Sequence, residues 1–378
     1  MKDALMLFAV FLACAGNGFS QNASAALVSP EVHADRTVTF RIAAPKASDV
    51  TFKGDWHDDT KRMEKGPDGI WSITVGPLAP STYIYGFTVD GVAIADPVNP
   101  RIKLRARTSG SLVEVPAAAP SLQEPRDVPH GAVEINWQKS SVLGGETRAI
   151  WIYTPPGYTE ETSRRYPVLY LLHGNNDRPA GWVDVGNLNF IADNLIAERR
   201  MVPMVMVMPF GHALPYGERG QPPRTNTTVF EAYLLQDVMP FAEGKYRIAA
   251  GRELHAVAGM SMGAEQSLEI FFNHLDRFGS AGAMSPAGFR AIETDHAALL
   301  ADPKGTNAKI DVLWIGCGRQ DPGHFSGSQQ LADVLAAHQI RHTWRPTDGM
   351  HNYALWRDQL VEFLPLLFQP ATAQAQRM

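Results

Sequence analysis

Apolar residues alternate with polar ones in three short segments of the first third of the chain, at 38–42, 71–75 and 83–89. Residues that favour turns, such as the pair at 90–91, separate these segments. A period of two between short turns is typical of strands with one buried face. Several such strands in succession predict a small all-β sandwich over residues 26–115.

A different pattern begins after residues 116–129, a stretch rich in Pro and Ala that has no periodicity and that we interpret as a linker. Four short runs are then continuously apolar, at 168–172, 204–208, 256–258 and 312–315. Amphipathic helical stretches accompany them, at 188–198, 229–244, 263–275 and 328–339. Continuously apolar strands are buried on both faces and belong to parallel sheets. Their alternation with helices predicts a doubly wound α/β domain over residues 130–368.

Residues 1–25 have the pattern of a secretory signal peptide. Lys2 precedes an apolar run at 4–15, which is too short for a transmembrane helix. Small residues at 23–25 predict cleavage near Ala25, and hence a secreted or periplasmic protein. Cys14 leaves open a lipoprotein cleavage site as the alternative.

Composition narrows the classes of function. Of the 378 residues, 45% are hydrophobic and 19% are charged, which is typical of a folded globular protein. The net charge of -5 is small and the sequence has no basic patch, so we expect no nucleic acid partner. No other apolar run is long enough for a membrane span, and nothing in the sequence indicates an oligomeric state. Removal of the signal peptide leaves Cys317 as the single cysteine, in an apolar run typical of a buried thiol, and residues 369–378 form a low-complexity tail.

The motif with the most chemical content is Gly259-Met260-Ser261-Met262-Gly263. A predicted strand precedes it and a predicted helix follows it. A serine in this setting forms a nucleophile elbow, in which glycines avoid clashes around a strained turn; an ordinary Gly-Ser turn is the alternative. We therefore predict Ser261 as a nucleophile. The Met262 N–H, near the start of the helix, is predicted to donate to an oxyanion.

A serine hydroxyl needs a general base, and in folds with this elbow the acid and then the histidine follow the serine in the chain. Five histidines lie far enough beyond the motif, namely His296, His324, His338, His342 and His351. His338 lies in a predicted helix and His342 begins a predicted strand, so both are interpreted as structural. His351 lies on the loop after that strand, where this fold places catalytic groups, and is the predicted base.

The acid is expected on a loop after an earlier strand, and Asp321 follows the apolar run that begins at Val312. Its carboxylate would orient the imidazole of His351 and stabilise the imidazolium. Asp348 is the alternative, and Asp311 precedes the strand and so lies at the wrong edge of the sheet. His324 either contacts substrate or has no special role, and we favour the second interpretation.

The second oxyanion donor should follow an early strand. The run at 168–172 leads into His173-Gly174-Asn175, so the backbone N–H of Asn175 or Gly174 is predicted to complete the oxyanion hole. His173 is predicted to brace this loop through hydrogen bonds rather than to transfer protons. HExxH, paired CxxC and Walker A motifs are absent from the sequence, so neither a metal nor an organic cofactor is predicted.

Five segments of residues 130–368 resemble the family-1 carbohydrate esterases, whose relatives include bacterial mycolyltransferases and enterochelin esterases. They are HGNNDRPAGW, VMPFGH, AVAGMSMGAEQSL, IGCGRQD and MHNYALWR. The spacing agrees as well, since 60 residues separate Ser261 from Asp321 and 30 separate Asp321 from His351. The resemblance implies an α/β-hydrolase fold and a serine esterase.

The resemblance also implies a substrate, an esterified plant polysaccharide or oligosaccharide such as xylan that carries feruloyl or acetyl groups. Two alternatives remain open. One is a siderophore esterase or acyltransferase on the same scaffold. The other is a non-catalytic carbohydrate-binding protein, against which the intact Ser261, Asp321 and His351 argue.

The N-terminal segments VTFRIAAPKASDV, GPLAPSTYIYGFTVDG and ADPVNP resemble the early-set immunoglobulin-like domain that precedes some of these esterases. Its relatives include carbohydrate-binding modules, and Trp56 would be available to stack on sugars, whereas Trp71 alternates with core positions and is predicted to be buried. By the same resemblance Trp182 and Trp356 either line the acyl or sugar cleft or are core aromatics. Ala264 departs from the family, which often has a third glycine there.

Overall fold

The structure is a computed structural model that describes residues 27–119, 121–215, 225–287 and 292–369. The predicted signal peptide, with Cys14 and the cleavage site near Ala25, lies outside the described residues. So does all but the first residue of the predicted tail at 369–378.

Residues 31–115 form a β-sandwich. Its strands are β1 (Glu31–Val32), β2 (Val38–Ala43), β3 (Val50–Gly54), β4 (Lys61–Arg62), β5 (Glu64–Lys65), β6 (Ile70–Val75), β7 (Ser81–Val89), β8 (Val92–Ile94), β9 (Ile102–Leu104) and β10 (Ser109–Val115). One sheet has the order β1-β2-β6-β5, and the other has the order β4-β3-β7-β10-β9 with β8 paired to β7. The pairings within both sheets are antiparallel, which confirms the all-β prediction.

Aromatic side chains fill the space between the two sheets. The ring of Phe40 lies 4.5 Å from that of Phe52 and 4.4 Å from that of Tyr85. Trp71 is buried as predicted, and its indole N–H donates to the carbonyl of Ala44. Trp56 packs against the same core. These contacts account for the apolar positions on the strands that face the space between the sheets.

Residues 132–366 form the second unit, called the hydrolase unit below. Its strands are β11 (Ala132–Lys139), β12 (Thr147–Thr154), β13 (Val168–Leu172), β14 (Val205–Pro209), β15 (His255–Met260), β16 (Ser280–Met284), β17 (Val312–Gly318) and β18 (Thr343–Thr347). Its α-helices are α1 (Gly181–Asp184), α2 (Leu188–Ala197), α3 (Asn226–Tyr233), α4 (Met239–Lys245), α5 (Met262–Asn273), α6 (Ile292–Asp295), α7 (Ala297–Ala301), α8 (Pro303–Asn307), α9 (Phe325–Ala337) and α10 (Tyr353–Phe363). Short 3-10 helices span Arg252–Leu254 and Leu364–Leu366, and a π-helical segment, Leu234–Val238, joins α3 to α4.

Eight strands form one sheet in the order β11-β12-β14-β13-β15-β16-β17-β18. Strand β12 runs antiparallel to both of its neighbours, β11 and β14, and the six strands from β14 to β18 in this order are parallel to one another. Separate hydrophobic clusters cover the two faces, and β13, β14, β15 and β16 are buried at every position. Burial on both faces accounts for their continuously apolar sequences and confirms the predicted doubly wound α/β fold.

The two units share a packed boundary. Ile84 and Leu112 pair across β7 and β10 and belong to the hydrophobic cluster on one face of the hydrolase sheet. The predicted linker also rests on this unit, since Asn194 on α2 donates hydrogen bonds to the carbonyls of Leu122 and Glu124. No helix in the described part of the chain has the length and apolar character needed to cross a bilayer.

Candidate active site

Ser261 occupies the sharp turn between β15 and α5. Its φ of 53° and ψ of -124° lie in a region that non-glycine residues rarely adopt, a strain that proteins retain mainly at functional positions. Gly259 and Gly263 allow this turn to form. A Cβ atom on Gly259 would lie 2.5 Å from the carbonyl of Gly263, and one on Gly263 would lie 2.6 Å from the carbonyl oxygen of Leu172. The turn therefore packs backbone against backbone on the end of β13.

The loop after β13 passes directly beside this serine. A Cβ atom on Gly174 would lie 3.3 Å from Cβ and 3.9 Å from Oγ of Ser261. Asn175 follows on the same loop and, like Gly174, lines the cleft into which Ser261 opens. The predicted donors Asn175 and Gly174 thus lie on one side of the serine, and Met262 begins helix α5 on the other.

His173 is fully buried beneath this loop. Its Nε2 accepts a hydrogen bond from the Gly211 N–H at 2.9 Å, so the proton is on Nδ1, which donates to the Gly174 carbonyl at 2.8 Å. Burial lowers the pKa of His173 to about 4, which keeps the ring neutral. The Gly174 carbonyl and the Asn175 N–H belong to one planar trans peptide and point in opposite directions. The His173 hydrogen bond therefore orients the Asn175 N–H.

Asp321 and His351 meet at the carboxyl edge of the sheet. His351 Nδ1 lies 2.6 Å from Asp321 Oδ2, and the carboxylate is almost completely buried. Burial acts to raise the pKa of Asp321, but hydrogen bonds from His324 and His351 outweigh it and hold that pKa well below its usual range. Because the Asp321 carboxylate is ionised at neutral pH and lies at Nδ1, Nε2 is the basic atom of His351.

Ser261 and His351 line the same cleft. Within the described residues, the Ser261 hydroxyl forms no hydrogen bond to His351, whereas His351 and Asp321 are hydrogen-bonded to each other. Contacts between a serine and its base are often long in enzymes without substrate and tighten in the reacting complex. The cleft thus holds both a nucleophile and a candidate general base.

His324 contributes a contact that the sequence interpretation missed. Its Nδ1 lies 2.8 Å from Asp321 Oδ1, so the two oxygens of one carboxylate are shared between two imidazoles. The rings of His324 and His351 are stacked, with centroids 3.8 Å apart and an interplanar angle of 14°. The only sequence signal is the spacing of three residues from Asp321, which the turn immediately before α9 converts into contact.

The other candidates lie away from this site. Asp348, the alternative acid, is exposed and lies 3.4 Å from Arg319. Asp311 lies at the opposite edge of the sheet, near Arg252. His338 caps the C-terminus of α9, and His342 bonds to the Ile340 carbonyl. His296 is buried beside Phe272.

The two tryptophans expected at the cleft have different positions. Trp356 lines the cleft, packs edge-on against the His351 ring at 4.9 Å and donates to the Ser285 hydroxyl. Trp182 is completely buried in the core beside Tyr353, so it offers no surface to a substrate, which corrects the substrate-binding expectation for this residue. Ala264 is buried in the core.

The cleft has a volume of about 690 Å³ and two walls. The hydrolase unit supplies the loops that carry Ser261, Asp321 and His351. The β-sandwich supplies the opposite wall, which includes Lys53 and Arg105. Clefts of this size hold drug-sized molecules, and the position between two structural units is a common one for ligand sites.

Asp321, His324 and His351 also form a group that can hold a metal cation, with ligand atoms within 4.8 Å of one another. Imidazole and carboxylate ligands suit zinc and similar ions. Both carboxylate oxygens already accept hydrogen bonds from the imidazoles, so a cation would compete with the arrangement that orients His351.

Comparison with known proteins places the chain among esterases. The family model Esterase, described as "Putative esterase", matches residues 140–367. An endo-1,4-beta-xylanase/feruloyl esterase from Xylanibacter ruminicola is 27% identical over 351 residues, which cover 90% of this chain and 46% of that protein. The chain therefore spans about half the length of this curated relative.

Solved structures show the same fold. The enterobactin esterase from Shigella flexneri has a TM-score of 0.67 at 20% identity, covering 88% of this chain and 93% of its own. A CE1 ferulic acid esterase from Anaeromyces mucronatus has a TM-score of 0.55 at 24% identity, covering 66% and 96%. The match to the enterobactin esterase covers more residues than the hydrolase unit contains, so it includes part of the β-sandwich. Both matches confirm the predicted fold class.

Proposed function

The chain belongs to the Esterase family, and on that premise we propose that it is a serine carboxylic-ester hydrolase that removes feruloyl or acetyl groups from plant cell-wall xylan. The observation that carries the proposal is the juxtaposition, in one cleft, of the strained Ser261 and the Asp321–His351 pair. The loop of Gly174 and Asn175 beside Ser261 supports it further.

In the proposed first step, Ser261 Oγ bonds to the ester carbonyl carbon while His351 Nε2 takes the hydroxyl proton. The carbonyl electron pair moves onto oxygen, where the N–H groups of Asn175 and Met262 stabilise it, with Gly174 as the alternative donor on the first loop. Collapse of the intermediate breaks the bond to the sugar oxygen, which takes the proton from His351. Water then repeats the sequence, releases the acid and restores the serine.

Asp321 is proposed to hold His351 in the tautomer that has a free Nε2 and to stabilise the imidazolium. His173 is proposed to act indirectly, because its hydrogen bond to the Gly174 carbonyl orients the next N–H. Trp356 lines the cleft, and it is proposed to contact the substrate there. No step requires a metal or an organic cofactor.

The substrate class rests on the relative named an endo-1,4-beta-xylanase/feruloyl esterase, whose alignment extends over both structural units. A cleft of about 690 Å³ has room for an aromatic acyl group and a sugar residue. Polar side chains such as Lys53 and Arg105 on its sandwich wall offer hydrogen bonds to sugar hydroxyls. These features favour an ester with a polar alcohol as leaving group.

A polysaccharide substrate requires the protein to act outside the cytoplasm. We propose that residues 1–25 direct export to the periplasm or the medium, with lipid attachment at Cys14 as the minor alternative. Residues 26–115 and 130–368 are proposed to be separate domains joined by the linker at 116–129.

A substrate panel tests the proposal. Methyl ferulate, acetylated xylan and enterobactin would be incubated with wild type and with Ser261→Ala, and the released acids quantified. We expect hydrolysis of the first two, and a loss of about 10⁵-fold or more in kcat for the variant. Cleavage of the catecholate trilactone with inert xylan esters would favour the siderophore esterase instead. Absence of hydrolysis by wild type on all three would contradict an esterase.

A further inference from the structure

The β-sandwich reaches the reaction centre through a buried ion pair. Lys103, on β9, donates to Asp177 Oδ1 at 2.6 Å, and its side chain is only 2% exposed. The Tyr353 hydroxyl donates to the other oxygen of Asp177, also at 2.6 Å. The Lys103 ammonium lies 4.9 Å from the centre of the Tyr353 ring. We call these three residues the Lys103 cluster.

Asp177 connects the cluster to the oxyanion loop. Its backbone N–H donates to the Gly174 carbonyl at 3.1 Å, and its Oδ1 also accepts from the Arg178 N–H at 2.8 Å. The Gly174 carbonyl therefore accepts from His173 on one side and from Asp177 on the other. Both contacts act on the peptide whose N–H is the proposed oxyanion donor.

Tyr353 connects the cluster to the base. It lies two residues after His351 and begins α10. Between them, Asn352 caps the helix by accepting from the Leu355 N–H, and its Nδ2 donates to the Asp55 carbonyl of the β-sandwich at 2.8 Å. The start of α10 is thus anchored to the sandwich at two adjacent residues.

The cluster has no room to rearrange. A Cβ atom on Gly181 would lie 2.6 Å from both Asp177 Oδ1 and Lys103 Nζ. Burial lowers the pKa of Lys103, while the Asp177 carboxylate acts in the opposite direction. Loss of the ammonium would leave a buried carboxylate without its counter-charge, a change that structures relieve by moving the loop that carries it.

We infer that Lys103 is a positioning residue, through which the β-sandwich holds the oxyanion loop and the His351 loop at their working separation. The inference rests on the proposed function, because it assigns Lys103 a part in acylation of Ser261. It makes the sandwich a structural part of the active site rather than only a sugar-binding module. Positioning errors of about 1 Å lower rates by about 100-fold.

The test uses full-length Lys103→Met and a probe that does not reach the sandwich wall. The rate constant for labelling of Ser261 by a small fluorophosphonate reports the oxyanion hole and the base without any sugar contact. We expect a 10- to 100-fold fall in this constant and in kcat for a small aryl acetate, with KM changed less than about threefold. Lys61→Met, an exposed lysine on β4 of the same sheet, is the matched control and should equal wild type.

A second variant covers the case in which Lys103→Met does not fold. Lys103→Gln combined with Asp177→Asn removes both charges and keeps a hydrogen-bonded pair, so it should recover at least half of the lost rate on a logarithmic scale. Labelling of folded Lys103→Met at the wild-type rate would overturn the inference. So would a change confined to KM for a feruloylated oligosaccharide, which would indicate sugar binding alone. If wild type itself is not labelled at Ser261, the proposed function fails instead.

Discussion

The nucleophile elbow and the Lys103 cluster both lie beside the loop of Gly174, yet the chain builds them in opposite ways. The elbow consists of five consecutive residues, 259–263, packed on the end of β13. The Lys103 cluster joins residues that are 74 and 176 positions apart in the sequence. One depends on local backbone geometry, and the other depends on two folded units that meet correctly.

This difference determines what each region tolerates. Steric exclusion controls the elbow, since added atoms on Gly259 or Gly263 would collide with main-chain atoms, which could make room only by shifting the backbone. Electrostatic pairing controls the cluster, where each group is compatible with burial only because its partners are present. Substitutions at the elbow should therefore lower both stability and activity. Substitutions at the boundary between the two units should change one of these properties without an equal change in the other.

The largest expected effect tests the steric side of the comparison. Gly263→Ala places a methyl group 2.6 Å from the Leu172 carbonyl oxygen and 2.7 Å from that of His173. We expect a loss of roughly 3 kcal/mol in the free energy of unfolding, because backbone atoms must shift. Urea denaturation followed by circular dichroism would measure it.

The matched control is Gly244→Ala in helix α4, where an added Cβ has nothing within 4 Å. Alanine is favoured over glycine inside a helix, so this variant should be unchanged or more stable by up to about 1 kcal/mol. Equal stability of Gly263→Ala and wild type would mean that the elbow relaxes around the added methyl group and that steric exclusion does not control it.

The same contrast explains what the sequence predicts. Strands β13, β14, β15 and β17 are predicted to within three residues at each end because burial on both faces leaves a continuously apolar run. Strand β16 (Ser280–Met284), which includes a serine and a glycine, is not predicted. The elbow is predicted because the strained turn needs glycines on both sides of Ser261, and the whole motif occupies five consecutive residues. The π-helical turn, Leu234–Val238, leaves no mark in the apolar periodicity, so one continuous helix is predicted there.

Site residues follow the same rule. Ser261, Asp321 and His351 each follow a recognisable strand, and the topology of a parallel sheet brings strand ends together. For Trp182 the family resemblance leaves open the cleft or the core, and the structure places it on helix α1 in the core beside Tyr353. Lys103 and Asp177 carry no local signal, because their pairing depends on how β9 meets the hydrolase unit.

An intermediate effect tests the electrostatic side of the comparison. Burial raises the pKa of Asp55 to about 6, against the opposing influence of Arg105 and Arg357. Folding therefore favours the protonated acid, and the protein loses stability as pH rises from about 4 to about 6. Asp55→Asn keeps an oxygen that can accept from the Ile84 N–H, the contact that Asp55 Oδ1 makes. We expect it to stabilise the protein by about 2 kcal/mol at pH 7, after allowance for partial exposure of the side chain.

Thermal melts at pH 4, 5 and 7 would check this expectation. The two proteins should melt together at pH 4 and diverge as pH rises, with the variant higher by roughly 4 °C at pH 7. A constant difference at all three pH values would show that packing, and not the charge of Asp55, controls the boundary.

The smallest expected effect concerns His324, which is local in sequence yet acts through a partner. His324→Phe keeps a ring to stack on His351 and removes the donor to Asp321 Oδ1. A hydrogen bond to a charged group contributes about 1.5–3 kcal/mol, and we expect most of that to appear as a loss of stability. The part that reaches the reaction should be below about 1 kcal/mol and lower kcat about threefold, because Asp321 retains its bond to His351.

His324→Asn is the companion variant, since its amide can still donate to Asp321 while the ring stack is lost. A smaller fall in kcat for Asn than for Phe would assign the effect to the hydrogen bond, and the reverse order would assign it to stacking.

The same two variants test whether the site binds a metal ion. Loss of one imidazole ligand should weaken inhibition by Zn²⁺ in both variants, because two ligands hold the ion less well than three. Unchanged inhibition would mean that zinc binds elsewhere and that His324 acts only through its hydrogen bond to Asp321.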